Sequence, residues 1–236
     1  MKDIGIIAHR GASALEPENS VAAFEKALEM GAHTIEMDVR TTLDGEAVLM
    51  HDETVNRTTS GHGRVSEMTF QEIKELRLRN REPVPPLKDV IERFKGRAYL
   101  ILELKDHGSA GASCSLVKEL KLWNDVTFSS FHGPWLVELK LRHPAAKAAF
   151  VSEDRKMDCV RIALSLKAQA LHLGRRIATR KLIIQAHEAD LDVNIWTVNT
   201  ARQMRKFIEM GADGIITDKP DILIEALVTS EKWGSE

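Results

Sequence analysis

Glu36 and Asp38 stand two residues apart within Thr34–Val39, a run that reads as a β-strand. Residues two apart on a strand share a face, so their carboxylates crowd together. Two such anions repel unless a cation lies between them or a proton is taken up. The chain then passes Leu43-Asp44-Gly45, where Asp-Gly is a tight-turn signal, into a second strand, Glu46–Met50, ending at His51-Asp52. An antiparallel hairpin turning on Asp44-Gly45 sets Asp38 opposite His51. One hairpin then offers two anions for a metal ion and an imidazole for proton transfer.

Other predicted strand ends carry matching groups. Ile4–Ala8 leads into His9-Arg10-Gly11, and Tyr99–Leu104 carries Glu103 with Lys105 just beyond. Val126–Ser130 leads to Phe131, Val193–Val198 carries Trp196 and Thr197 before Asn199, and Gly214–Thr217 precedes Asp218-Lys219-Pro220. Glu36, Asp38 and Glu103 offer only oxygen, which suits a hard cation, Mg²⁺ or Ca²⁺. Arg10 and Lys105 can hold a phosphate. His9 and His51 can move protons near neutral pH. Metal ligands, a phosphate clamp and two imidazoles are the parts of a phosphodiesterase.

Each residue also has an ordinary reading. A Glu-x-Asp pair is a common salt-bridging surface feature. Glu103 and Lys105 can pair with each other, and Trp196 can belong to the core. His33, His62 and His187 read as solvated or structural. Gly211-Ala212-Asp213-Gly214 could be a phosphate loop of the kind that follows late barrel strands, but reads better as a helix C-cap entering a strand. Conjunction at one end of one fold is what favours the chemical reading.

That fold follows from the rhythm of the chain. Strands are expected at Ile4–Ala8, Thr34–Val39, Tyr99–Leu104, Val126–Ser130, Ala146–Val151, Ala168–Leu173, Val193–Val198 and Gly214–Thr217, apart from the hairpin's return arm. Helical patterns lie between them at Val21–Met30, Leu87–Phe94, Cys114–Leu122, Trp135–Arg142, Met157–Leu166, Thr179–Ala189 and Ala201–Met210, with a last one at Asp221–Leu227 before a polar tail. Strands alternating with helices make parallel βαβ units. Eight of them predict a closed TIM-type (β/α)₈ barrel, whose usual length is ~250 residues and whose active site lies at the C-terminal strand ends. An open doubly wound sheet would want G-x-G-x-x-G after an early strand, which the chain lacks. Residues 1–236 are expected to form a single catalytic domain. The stretch 53–86, with a capping box at Thr69–Glu72 and three prolines in Glu82–Pro86, reads as a small insertion after the second barrel strand, over the barrel mouth.

Composition narrows the partners. The 236 residues carry a formal charge of −2, which argues against a strongly attracting surface for nucleic acid, and no nucleic-acid partner is expected. Cys114 and Cys159 are the only cysteines, too few for a disulfide framework. No signal-peptide h-region follows Met1, and no uncharged run approaches the ~18 residues of a membrane span. A cytoplasmic protein without stable membrane insertion is expected, its oligomeric state left open.

Taken together the motifs resemble the glycerophosphodiester phosphodiesterases, relatives of phosphatidylinositol-specific phospholipase C. The pieces are His9-Arg10-Gly11, Pro17-Glu18-Asn19-Ser20, Glu36-Met37-Asp38-Val39, Asp44-Gly45, His51-Asp52, Asn56-Arg57-Thr58-Thr59, Glu103-Leu104-Lys105, Trp196-Thr197-Val198-Asn199 and Gly211 through Pro220. Ser20 stands where the motif commonly has Thr, and Leu173-Gly174-Arg175-Arg176 matches no motif. The resemblance implies a divalent metal on Glu36, Asp38 and Glu103 and catalytic histidines at His9 and His51. It implies phosphate contacts from Arg10 and Lys105, and Trp196 beside the glycerol moiety. The expected substrate is a small glycerophosphodiester, cleaved to sn-glycerol 3-phosphate and an alcohol. The phospholipase C relatives imply attack by the 2-hydroxyl through a cyclic phosphate, with attack by water as the alternative. A metal-dependent amidohydrolase would usually show His-x-His on the first strand, where this chain has His9-Arg10-Gly11. A non-catalytic headgroup binder would have lost a carboxylate or a histidine, and none is lost. A lysophospholipid enzyme would want an apolar lip, which the charged stretch Glu72–Glu82 does not provide.

Overall fold

Short apolar runs become strands, and the helices between them return the chain to the same end each time. The computed structural model describes residues 4–231. Its strands are β1 (Gly5–His9), β2 (Thr34–Thr41), β3 (Ala47–Leu49), β4 (Tyr99–Leu104), β5 (Val126–Ser130), β6 (Lys147–Ser152), β7 (Ala170–Gly174), β8 (Asp192–Trp196) and β9 (Gly214–Thr217). Its helices are α1 (Val21–Glu29), α2 (Phe70–Glu75), α3 (Leu87–Phe94), α4 (His107–Glu119), α5 (Gly133–Arg142), α6 (Cys159–Ser165), α7 (Arg180–Glu188), α8 (Ala201–Glu209) and α9 (Pro220–Glu231). All strands but β3 pair in parallel, and β1 pairs with both β2 and β9, so the sheet closes into a TIM-type barrel. Glycine at 211, with φ +99°, ends α8 and feeds β9 from its N-terminal end, so the Gly211–Gly214 stretch lies away from the mouth and is a helix end.

Alternation along each strand divides the side chains. Ile35, Met37 and Val39 of β2 and Leu100, Leu102 and Leu104 of β4 turn outward into the main core beneath the helices. Their neighbours Glu36, Asp38 and Glu103 turn the other way. Ile7, Ile101 and Ile216 form a small apolar cluster inside the barrel, with Trp196 against it. Register completes the placement: His9 lies beside Glu36, and Asp38 beside Glu103.

Helix α4 departs furthest from its expected start, and helix α9 from its expected end. Helix α4 starts at His107, not Cys114. The Gly- and Ser-rich sequence from 107 to 113 hides its helical character, since both residues are poor formers. Asp106 overrides this by capping the helix, accepting the Ser109 N–H at 2.8 Å. Helix α9 starts on Pro220 and runs to Glu231, past the expected end at Leu227. The final polar tail, 232–236, lies outside the described residues.

The hairpin register also differs from expectation. Asp38 lies opposite Met50, whose N–H it receives at 3.0 Å, and His51 falls one residue beyond. A two-residue turn on Asp44-Gly45 would have paired Asp38 with His51. Instead Thr42 N–H bonds Glu46 C=O at 2.9 Å and Gly45 N–H bonds Thr42 C=O at 3.0 Å, so Leu43, Asp44 and Gly45 all lie in the loop. Gly45 takes φ +88°, as the third position of such a turn requires. The extra residue shifts the pairing by one.

The stretch 53–86 packs on this hairpin. Val55, Val65, Ile73, Leu78 and Val84 bury against Val48 and Met50. Thr69 and Glu72 form the expected capping box. The proline-rich run is extended, with Pro83 bridged to Arg77 and Pro86 to Val48.

Two glycines with positive φ separate strain from crowding. A Cβ on Gly45 would meet nothing within 4 Å, whereas one on Gly11 (φ +84°) would lie 2.5 Å from the Ala23 carbonyl carbon. Gly45→Ala should therefore cost only the left-handed backbone penalty, about 1 kcal/mol. Gly11→Ala should cost at least ~2 kcal/mol, because backbone must also move. Urea unfolding of the two variants checks this, and equal losses would mean that the contact with Ala23 contributes nothing.

Candidate active site

Strand register places the three carboxylates at one end of the barrel. One oxygen from each of Glu36, Asp38 and Glu103 lies within 4.8 Å of the others. All three side chains are buried, Asp38 completely. Asp38 would be driven towards its neutral form by burial, but Lys105 and Arg10 overcome this and hold it well below the usual carboxylate range. Lys105 Nζ stands 3.0 Å from one of its oxygens, and Arg10 Nε 2.9 Å from the other. Asn19 clasps the same residue, donating to its carboxylate at 2.8 Å and accepting its N–H at 3.1 Å.

Glu36 is in the opposite state. Burial, then the neighbouring Asp38, raises its pKa far above the carboxylate norm. One oxygen accepts the Arg10 N–H at 3.0 Å; the other, Oε1, is buried without a hydrogen-bond partner. Such orphans are rare and costly. An orphaned carboxylate oxygen beside two more carboxylates fits a divalent ion, which would supply the missing partner and the missing positive charge. Glu103 also pairs with Lys105.

The two histidines flank this cluster, each tied to a carboxylate. His9 Nδ1 lies 2.6 Å from Asp218 Oδ1, and His51 Nδ1 lies 2.7 Å from Asp52 Oδ1. Asp218 is itself fixed by Ser13 at 3.0 Å and Asn199 at 2.5 Å. Burial opposes the charged form of His9, yet the Asp218 bond and Glu36 raise its pKa. Burial prevails at His51 and lowers it. With Nδ1 engaged in both rings, Nε2 is the nitrogen left for the cleft that both line.

Ion pairs link the two sides. Asp52 binds Arg57 at 2.6 Å, Arg57 binds Glu18 at 2.7 Å, and Glu18 binds Arg10 at 2.9 Å. Arg40 donates to the main-chain carbonyl of His51 at 2.8 Å and to that of Lys105 at 3.3 Å. The cleft measures about 240 Å³. Trp196 stands on its wall, edge to face with Phe131 at 5.4 Å and 87°, so it is a lining residue as well as a neighbour of the interior cluster.

All eight residues singled out in the sequence converge: His9, Arg10, Glu36, His51, Glu103, Lys105 and Trp196 line the cleft, and Asp38 lies directly behind it. Reasoning from strand ends gave no role to Asp218, Asn19, Glu18, Arg57, Glu153 or His172. Asp52 had a signal, adjacency to His51. Asp218 stood at a strand end, but its pairing with His9 had no signal, because 209 residues separate the two and only closure of β9 on β1 joins them.

The family model described as "Glycerophosphoryl diester phosphodiesterase family" matches residues 9–222. A glycerophosphodiester phosphodiesterase of Caldanaerobacter subterraneus subsp. tengcongensis is 35% identical over 232 residues, covering 93% of this chain and 96% of that protein. An Oleispira antarctica phosphodiesterase, solved in complex with the product sn-glycerol-3-phosphate, superposes with a TM-score of 0.89 at 26% identity, over 94% of this chain and 96% of that one. The crystal structure of an Agrobacterium tumefaciens glycerophosphodiester phosphodiesterase gives 0.83 at 28% identity, over 94% and 99%. With a match that spans nearly all of the chain, this protein belongs to the glycerophosphoryl diester phosphodiesterase family and is an enzyme of that class.

Proposed function

We propose that this chain hydrolyses small glycerophosphodiesters, such as glycerophosphocholine or glycerophosphoethanolamine, to sn-glycerol 3-phosphate and the free alcohol. The observation that carries this reading is the orphaned Glu36 oxygen within a buried carboxylate trio, between two carboxylate-bound imidazoles. Glu36, Asp38 and Glu103 would hold one Mg²⁺ or Ca²⁺. When bound, that ion supplies a Lewis acid and a template for substrate oxygens. Arg10 and Lys105 stabilise the negative charge that grows on the phosphoryl oxygens. His9 and His51 exchange the proton of the attacking hydroxyl and that of the leaving alcohol. Asp218 and Asp52 fix the ring tautomers by accepting from Nδ1–H. Trp196 packs beside the glycerol carbons.

The attacking group in this reading is the substrate's own 2-hydroxyl. Its oxygen bonds phosphorus while the bond to the leaving alcohol breaks and that alcohol takes a proton. Water then opens the resulting five-membered cyclic phosphate. A tethered nucleophile can reach an effective molarity of ~10⁵ M or more. The work is assigned to a single catalytic domain spanning 1–236, with 53–86 as its insertion, acting in the cytoplasm. Among the described residues no helix is long and apolar enough to cross a membrane.

Chelation is the direct test of the metal. EDTA should abolish release of sn-glycerol 3-phosphate, and Mg²⁺ or Ca²⁺ should restore it; full activity in chelator rejects the carboxylate assignment. His9→Ala and His51→Ala should each lower kcat at least ~10²-fold, while His62→Ala stays near wild type in the same coupled assay. For the nucleophile, glycerol 1,2-cyclic phosphate should be opened by the enzyme. A 2-deoxy diester that turns over at the normal rate would show that water attacks directly.

A further inference from the structure

The floor of the cleft holds a polar side chain that no step above employs. His172 sits on β7, where Leu171 and Leu173 face the outer core and His172 faces the barrel interior. It is 2% exposed. Among the described residues neither ring nitrogen has a hydrogen-bond partner, while its main chain pairs with β6 and β8 and its carbonyl also accepts the Trp196 indole N–H at 3.1 Å. Burial pushes its pKa down to about 4, so the ring is neutral near pH 7 and carries one N–H donor and one lone pair. Ring nitrogens without a partner in the protein, on a residue that lines a cleft, must find one in water or in a bound molecule.

The surroundings leave this ring open to the substrate. It lines the same cleft as His9, His51 and Lys105. The next residue of β7 on its face, towards the mouth, is Gly174, which has no side chain to roof it. Space there is already limited, since a Cβ on Gly174 would come within 2.9 Å of the Glu153 Cβ. Trp196 lies in register with Gly174, its indole pinned by the His172 carbonyl. The phosphate clamp, Arg10 and Lys105, lies beyond the ends of β1 and β4, whereas His172 lies two residues inside the end of β7. A glycerophosphate with its phosphorus at the clamp and its chain running into the cleft would bring its far carbon towards His172.

We infer that His172 is a specificity residue that receives the terminal hydroxyl of the substrate's glycerol moiety, donating one hydrogen bond to it or accepting one from it. This rests on the glycerophosphodiester reading and adds to it the group that tells glycerol from a deoxygenated diol. Trp196 cannot make that distinction, because an indole face packs equally well against a methyl group. A site that buries an unpaired polar group when the hydroxyl is missing discriminates strongly.

The experiment compares two substrates across three proteins with Mg²⁺ present. One substrate is glycerophosphoethanolamine; the other is the corresponding propane-1,2-diol diester, which keeps the 2-hydroxyl and lacks only the terminal one. Wild type should prefer the first by roughly ten- to a hundred-fold in kcat/KM. In His172→Leu that preference should shrink to about two-fold or less, chiefly through loss of the glycerol substrate's advantage. His172→Gln, which keeps a donor and an acceptor, should retain part of it. A merely structural role would lower both substrates together and leave the ratio unchanged. His172 also borders a second cavity, on its N-terminal side; if water there satisfies the ring, His172→Leu keeps the wild-type ratio and the inference falls. A wild-type ratio near one overturns it without any variant. Hydrolysis of neither substrate would instead overturn the glycerophosphodiester reading, and this inference with it.

Discussion

Three buried carboxylates at one end of a barrel are the constraint from which the rest of this structure follows. Like charges in a low-dielectric site are costly, and pairing or metal binding must offset the cost. Asp38 has two cations against it and is held ionised; Glu36 keeps an oxygen with no partner at all. The trio is thus incomplete by design of its chemistry. Lys105 and Arg10, one on each oxygen of Asp38, keep the carboxylate between them charged.

Around that trio the fold builds support rather than more reactive groups. Each imidazole has a carboxylate, and each carboxylate has its own partners: Ser13 and Asn199 for Asp218, Arg57 for Asp52. Arg57 and Glu18 carry the pattern across the mouth to Arg10. Arg57 belongs to the stretch 53–86, so that segment, besides burying its own apolar residues on β3, takes part in the electrostatics of the site. Loops deliver these partners, while the trio itself sits on strands, where positional error is smallest.

Much of this was legible in the sequence because strand periodicity is simple. Glu36 and Asp38 at i and i+2 had to share a face, and eight alternations of strand and helix without a Gly-rich phosphate turn favoured a closed barrel over an open sheet. Thr69 and Glu72 announced their capping box. What escaped notice was either non-local or hidden by a weak local signal. Asp218 is invisible as a partner of His9 until the barrel is closed. The start of α4 was masked by Gly and Ser, and its cap at Asp106 outweighed their poor propensity. The Asp38–His51 pairing failed by one residue because Asp-Gly does not say whether its loop holds two residues or three. His172 gave no signal, since a single histidine in an apolar strand reads as core.

Pairing of β1 with β9 has a consequence for the newborn chain. A ribosome delivers His9, both carboxylates of β2, His51 and Glu103 well before β9. These residues cannot yet assemble as described, for the first strand lacks one neighbour and His9 lacks Asp218. Parallel pairing across such a sequence distance is slow and leaves an open edge while it waits. Until β9 emerges, the nascent protein carries its buried carboxylates without the last stave of the sheet. Closure of the barrel and completion of the His9–Asp218 pair therefore arrive in one event.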